Sequence, residues 1–315
     1  MFEKSEIIFL YTETPLHAGS GNSVGLVDLP IQRERVTNYP LVQASGIKGK
    51  LRAEANQKLK ISNDQTNEEK IKAVFGPEDD GSEHASAISL GDARLLLFPV
   101  RSLCGVFAYT TSRTILARFQ RDIKTSSKAE EVKWDLEKLP DDRHTAYVSN
   151  NASIMIKKSR SSTVVLEEFS FDVKQEEEVN NIAKWIAENA LPSKYKFFIE
   201  KIKTSLVVLP EDAFRDFTQF ATEIVTRTKI NQETKTVDKE KGALWTEENL
   251  PSDTLLYAPL HATRPRANTQ LFNDSDSGKP SADKVIEFIK NLQLSYIQLG
   301  GNETVGRGIV SIQIT

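Results

Sequence analysis

The order in which strand-like and helix-like runs follow one another limits the fold of this 315-residue chain more than any other feature. "EIIFLYTE" (6–13) is short, β-branched and aromatic, and Pro15 ends it, so it reads as a strand. "YPLVQASGIKGKLRAEANQKLK" passes from an extended segment into a helix starting near Ser45. Its packed face is marked by Ile47, Leu51, Ala55 and Leu59 at every fourth position. "AISLGDARLLLFPV" and "GVFAYTTS" predict a hairpin, "RTILARFQRDIK" a helix and "STVVLEEFSFDV" a strand. "EEEVNNIAKWIAENAL" predicts an amphipathic helix with acids in its first turn, where the macrodipole favours them. "SLVVLP" and "TLLYAPLHATR" add strands, while "EDAFRDFTQFAT" and the Ser-capped "SADKVIEFIKNL" add helices. "SYIQLGGNETVGRGIVSIQI" closes the chain with two strands around a glycine-rich connection. The recurring order strand–helix–strand–strand–helix–strand predicts an α+β fold with a ferredoxin-like or RRM-like core. That architecture hosts many functions and decides none.

Three stretches stand apart from this order. Residues 60–86 are polar and acidic and predict a peripheral insertion with one short helix, and residues 126–162 are polar and irregular. Residues 226–248 alternate Val, Thr and Ile with polar residues, which predicts an extended hairpin with little core to bury on either face. Such a hairpin is marginal in water unless a neighbouring subunit or a nucleic acid covers it. The 41 Lys and Arg against 44 Asp and Glu give a net charge of −3. This excludes a surface that attracts nucleic acid everywhere but leaves room for a local basic groove. A lone Cys104 excludes an internal disulfide and a multi-Cys zinc site, and fits a reducing cytoplasm. The N-terminal run mixes charges of both signs and reads as a strand rather than a signal peptide, and no apolar run approaches a membrane span.

Four constellations could carry chemistry. In "ASGIKGKLR", Ser45 and Gly46 open a helix, where backbone N–H groups suit a phosphate. Lys48 and Arg52 lie one turn apart, and between 43 and 60 five basic residues, Lys50 among them, face a single acid. The bland alternative is a solvated basic face. In "LGGNETVGRG", Gly300, Gly301, Gly306 and Gly308 permit close backbone approach beside Arg307, though a plain hairpin turn would use the same residues. The long Gly/Ser-rich loop after the first strand holds His17 and, among apolar neighbours, Asp28. Asp28 has no paired acid or His–Glu spacing, which argues against a closed metal cage. One carboxylate with substrate phosphates and waters is nonetheless a common magnesium arrangement, and His17 could act as a base near neutral pH. The structural alternatives are a turn or cap Asp and a packing His. In the hairpin, Arg227 and Lys229 share one face, with Trp245, Glu247 and Glu248 on the return side.

Taken together, "PLHAGSG…GLVDLPIQRE", "YPLVQASGIKGKLR", "VTRTKINQETKTVDKEKGALWTEENLP" and "GGNETVGRG" resemble the RAMP superfamily of CRISPR proteins. More narrowly they resemble the repeated backbone subunit of type III-B (Cmr) effector complexes. The resemblance implies one RAMP domain over 1–315. Its RRM-like palm would take 1–125, 163–223 and 254–315, with insertions at 60–86 and 126–162 and a β-hairpin thumb at 224–253. It implies partners: a guide RNA, a complementary single-stranded target RNA, copies of the chain itself and other type III-B subunits. It implies an endoribonuclease active in that complex, with Mg2+ or Mn2+ as a transient cofactor. Asp28 matches the family's catalytic, metal-binding carboxylate, and His17 shares its loop system. Ser45, Gly46, Lys48, Lys50, Arg52 and the terminal glycine motif with Arg307 would hold the guide. Arg227, Lys229 and Trp245 would organise the duplex, and Glu247 or Glu248 would approach the cleavage point. This chain has Asn249 where some members carry an aromatic residue. Two alternatives stay open: a non-catalytic scaffold of the same complex, and a metal-independent guide-processing ribonuclease using His17.

Overall fold

The computed structural model describes residues 2–23, 25–60, 65–78, 83–140, 142–157, 161–230, 235, 237, 244–267, 270–275 and 277–315. The chain begins with β1 (Lys4–Thr12), β2 (Leu41–Val42), α1 (Ala44–Lys60), α2 (Gln65–Phe75), β3 (Ile88–Leu90) and β4 (Ala93–Ser102). It continues through β5 (Val106–Ser112), α3 (Arg113–Asp122), β6 (Thr145–Val148), β7 (Ile156–Lys157), β8 (Ser162–Leu166) and β9 (Phe169–Gln175). There follow α4 (Glu177–Ala190), α5 (Lys196–Ser205), β10 (Leu206–Leu209) and α6 (Glu211–Phe220). The last elements are β11 (Glu223–Thr228), β12 (Leu244–Asn249), β13 (Leu255–Ala262), α7 (Ala282–Asn291), β14 (Tyr296–Gln298) and β15 (Ile309–Ile314).

β1 lies between β15 and β13 and is antiparallel to both, and β4 pairs antiparallel beyond β13. β1 is buried from Ser5 to Thr12 because strands flank it on both edges and the core lies on both faces, which is why its apolar run does not alternate. In chain order α1 lies between β2 and α2 and packs near β14 and β3, and α7 lies between β13 and β14 and packs near β13 and β1. β4 then carries the sheet onward: Arg94 to Leu97 pair with β13, while Phe98 to Ser102 pair with β5. Beyond β5 the order is β10, β6, β9, β8, β7, with β10 parallel to β5 and β6 parallel to β9. The α+β class is therefore a large mixed sheet with helices packed on it, and β11–β12 form a separate two-stranded sheet. Among the described residues, no helix is long and apolar enough to cross a membrane.

Three expectations need correction. Residues 126–162 are not merely an irregular insertion: β6 is an internal strand of the sheet, and Trp134 is buried, stacked on Phe119 at 5.7 Å. Phe119 in turn meets Tyr257 edge-on at 4.9 Å, so this segment supplies one wall of the aromatic core. In the 60–86 stretch the single helix is α2, but Ile71, Ala73, Val74 and Phe75 are core residues rather than peripheral ones. "STVVLEEFSFDV" is two strands, β8 and β9, folded back on each other where Glu167 takes φ 48°. Helix α5 was not anticipated. Parts of 60–86 and 126–162, and most of 231–243 in the hairpin, lie outside the described residues.

Candidate functional site

The loop that follows β1 is tied down at three places. Leu16 and Leu250 exchange two backbone hydrogen bonds of 2.9 Å. The loop then folds on itself, with Gln32 N–H donating to the Ala18 carbonyl at 2.7 Å and Ser20 N–H to Pro30 at 3.0 Å. Finally Leu29 N–H donates to Thr246 C=O and Glu248 N–H to Leu29 C=O, each at 3.0 Å. The loop thus runs as a short parallel strand along β12. One residue earlier the ladder is continued by a side chain. Asp28 Oδ2 accepts from Thr246 N–H and from Thr246 Oγ1, both at 2.8 Å. The Thr246 backbone bond, with its hydroxyl second, holds the Asp28 carboxyl below the usual carboxylate range. Asp28 is solvent-exposed, and its own backbone N–H adds a weaker contribution in the same direction. The arrangement presents a fixed, ionised carboxylate to solvent.

His17 is oriented by Glu248, whose carbonyl accepts from the Nδ1–H at 2.6 Å, leaving Nε2 as the acceptor. Gly19 sits against that atom, where a Cβ would approach Nε2 to 2.8 Å. The terminal glycines close on the same loop. Gly301 N–H donates to His17 C=O and Gly308 N–H to Pro15 C=O, each at 2.9 Å. Gly300 takes φ 72°, and a Cβ there would fall 2.1 Å from the His17 carbonyl oxygen. Gly308 is equally constrained, by the Leu299 carbonyl oxygen. These two glycines use their freedom to let the chain approach itself. Gly306, at φ 76°, faces open space at the end of the turn, and Arg307 pairs with Glu223 at 3.4 Å.

Between the loop, α1 and the glycine turn lies a cleft of roughly 630 Å³. Gly19, Ser45, Gly46, Lys50, Gly300 and Gly301 line it. Ile47, Leu51 and Ala55 are buried beneath, which turns the 46–49–50–53 face of α1 towards the opening. Ala44 N–H, at the start of α1, is capped by Asp92 at 2.8 Å. Lys50 pairs with Glu54 one turn on at 2.9 Å, and Arg52 with Glu78 at 3.0 Å. Lys48 is half-buried and has no carboxylate partner among the described residues. Burial first, and then the charge of Arg52, lower its pKa. Lys48, Arg52, Gly306, Arg307 and Gly308 do not line this cleft.

The hairpin's acids are placed differently from the expectation that they reach a reacting phosphate. Glu248 is 5% exposed. Its Oε1 accepts from the Arg33 guanidinium and from Thr222 Oγ1 at 2.9 Å, and its Oε2 from Ile31 N–H at 3.1 Å. Glu247 is 2% exposed, with Oε2 on Arg227 Nε at 3.1 Å and Oε1 on Asn302 Nδ2 at 2.6 Å. Both carboxylates are interior clips, and Arg227 is committed to one of them. Lys229 is exposed just beyond β11, and Trp245 is half-buried opposite Arg227 in register. The structure adds Thr246, Arg33 and Asn302 to the site, none of which a local pattern singles out. Among the described residues, no group of three or more His, Cys, Asp or Glu could hold a metal ion.

A model of the RAMP superfamily matches residues 9–311. The chain is 40% identical over 316 residues to the CRISPR system Cmr endoribonuclease Cmr4 of Pyrococcus furiosus, covering 99% of this chain and 96% of that one. It superimposes on the crystal structure of oligomeric Cmr4 from Pyrococcus furiosus with a TM-score of 0.71 at 33% identity, over 99% and 98% of the two chains. A chain of the type III-B Cmr-beta complex bound to cognate target RNA has the same fold, with a TM-score of 0.73 at 23% identity over 99% and 98%.

Proposed function

The chain belongs to the RAMP superfamily, and on that premise we propose that it is the repeated guide-RNA-binding subunit of a type III-B (Cmr) effector and the endoribonuclease within it. The four strands β15-β1-β13-β4, with α1 and α7, serve as its RRM/ferredoxin-like palm, and β11–β12 as its thumb. The cleft at the start of α1 takes guide backbone, with Ser45, Gly46, Lys50 and the Gly300–Gly301 turn against the phosphates. Lys48, Arg52 and Arg307 add positive charge outside the cleft.

The observation that carries the reading is the bonding of Asp28 into the thumb strand through Thr246. An element that deforms the duplex and a carboxylate at the cut are thereby one rigid unit. The 2′-hydroxyl of the displaced nucleotide attacks its own phosphorus: the O2′–P bond forms, the P–O5′ bond breaks, and the proton leaves O2′ as another is delivered to O5′. This attack needs in-line geometry, and holding the reacting atoms in line supplies much of the rate. It also restricts cutting to RNA. His17 Nε2 is the basic atom that the geometry leaves available. Asp28, already ionised and weakly basic, serves better as an anchor and ligand than as a proton acceptor. A carboxylate on an exposed loop suits a hard cation shared with substrate. Mg2+ or Mn2+ would be held by Asp28 together with RNA phosphate oxygens, and when bound it neutralises charge at the phosphate.

Cmr4 of Pyrococcus furiosus, called an endoribonuclease and seen as an oligomer in its crystal structure, supports both activity and self-association here. The complex works with a guide RNA, a single-stranded target and other type III-B subunits, in the cytoplasm. The test is target-RNA cleavage by the reconstituted guide complex, wild type against Asp28→Ala, in Mg2+, Mn2+ or EDTA. An assembled, target-binding variant without regular cuts is the expected result. Unchanged cutting would make this chain a scaffold, and cutting that survives EDTA would turn the chemistry towards metal-independent use of His17.

A further inference from the structure

We infer that Asn302 is a positioning residue, transmitting occupancy of the cleft to Asp28 through the buried Glu247. The inference deepens the endoribonuclease reading and rests on it. Asn302 lies one residue beyond Gly300–Gly301, which form the cleft wall, and is held at φ 65° by the turn. Its amide donates to Glu247 Oε1 at 2.6 Å, and the other carboxylate oxygen is on Arg227 Nε at 3.1 Å. Arg227 contributes an ion pair and a long Nη2 bond of 3.5 Å to Oε1, so the short bond from Asn302 matters to a carboxylate that is 2% exposed, and losing it leaves buried charge short of a partner. Glu247 is therefore fixed between the glycine turn on one side and β11 on the other.

Its chain neighbour is Thr246, which holds the catalytic carboxylate by two bonds of 2.8 Å. From the cleft wall to Asp28 the path is thus two peptide units, Gly301–Asn302 and Thr246–Glu247, and two hydrogen-bonded links, Asn302 to Glu247 and Thr246 to Asp28. A second path runs from Gly301 N–H to the His17 carbonyl and then through the His17 ring, whose Nδ1–H donates to the Glu248 carbonyl. Both converge on β12. Only the first depends on a side chain outside the loop and the hairpin, and so can be cut without touching either. A phosphate drawn against Gly300–Gly301 bears on Asn302 and sets the register of β12 under Asp28. Guide binding and the readiness of Asp28 become coupled quantities, as an accounting of free energy between two sites requires.

The experiment compares variants in the reconstituted complex by single-turnover cleavage at saturating target, alongside target affinity and guide retention. Asn302→Gly keeps the positive φ and removes the amide. The expected outcome is a cleavage rate about 10- to 100-fold lower, the usual cost of loosening the support of a reacting group. Target affinity and guide retention should stay within about twofold of wild type, a split that general destabilisation would not produce. A reciprocal swap, Glu247→Gln with Asn302→Asp, restores the bond with donor and acceptor exchanged. It should recover most of the rate that Asn302→Asp alone, which sets two carboxylates against each other, loses. A rate within twofold of wild type for Asn302→Gly overturns the inference, as does a loss carried by target affinity. If Asn302→Gly fails to assemble, the swap decides, and no recovery over Asn302→Asp overturns it. Asp28→Ala is run in parallel. Undiminished cutting by that variant removes the endoribonuclease reading itself, whereas abolished cutting beside a neutral Asn302→Gly removes only the coupling.

Discussion

Asp28 and the Glu247–Glu248 pair meet at a single bridge, Leu29 against Glu247, and from there their circumstances diverge. Asp28 is exposed and bonded to Thr246 through one oxygen. The two glutamates are buried, each with both oxygens engaged by groups from separate parts of the chain. The same chemical group is thus an available ligand in one setting and a structural clip in the other. What separates them is the number of fixed donors and the access of water, since a buried charge persists only when fully paired.

The contrast can be broken at several points. Asp28→Asn should have the largest effect, a loss of cleavage of at least about 10²-fold. Because an Asn oxygen can still accept from Thr246, the variant's urea midpoint should move far less than that of a Glu248→Ala protein. Glu248→Ala should do the reverse. It leaves the buried Ile31 amide unpaired and removes the carboxylate from the half-buried Arg33 and Thr222, so unfolding free energy should fall by about 3 kcal/mol. A Glu248→Ala protein of normal denaturant midpoint would erase the distinction drawn above.

Gly300→Ala probes the junction between the two settings. Backbone cannot move aside from a new Cβ at 2.1 Å, and positive φ adds strain, so a loss of about 1–3 kcal/mol is expected. The smallest effect concerns protons. The Asp28 pKa lies lower in the folded chain than unfolded, so its bonds to Thr246 stabilise above the unfolded value of about 4. That contribution disappears as pH falls through the folded value. Thr246→Val should move the Asp28 carboxyl titration, followed by NMR, upward towards the ordinary range. Wild-type cleavage should show no Asp28 limb between about pH 5 and 8.

Much of the scaffold is legible in local pattern because local pattern causes it. The fourth-position stripe of α1 is buried as its spacing demands, with Leu59 packed against the core edge, and Ser281 caps α7 by accepting from Asp283 N–H. What the pattern hides is of two kinds. Trp134 and Val132 are core anchors set among polar residues, so no periodicity announces them, and α5 shows Phe197 to solvent while Ile202 is buried. The second kind is contact at long range. Asp28 and Thr246 are 218 residues apart, and nothing near either one reveals the other. The glycine motif could serve a plain turn or a ligand's approach; at Gly300 it admits the His17 carbonyl in a position that also lines the cleft.

The placement of β1 between β13 and β15 has a consequence for biosynthesis. Every strand from β5 to β10 falls within residues 106–209, so that part of the sheet can close on the ribosome as soon as it emerges. β1 must wait for partners some 250 to 300 residues downstream, roughly 10–60 s at ordinary translation rates. During that interval an apolar strand with two open edges is available to wrong neighbours, the situation in which a nascent chain benefits from a chaperone. The same delay is protective. Asp28 has no Thr246 to dock on until the hairpin has been made, so a prematurely terminated chain emerges with the Asp28 loop unanchored.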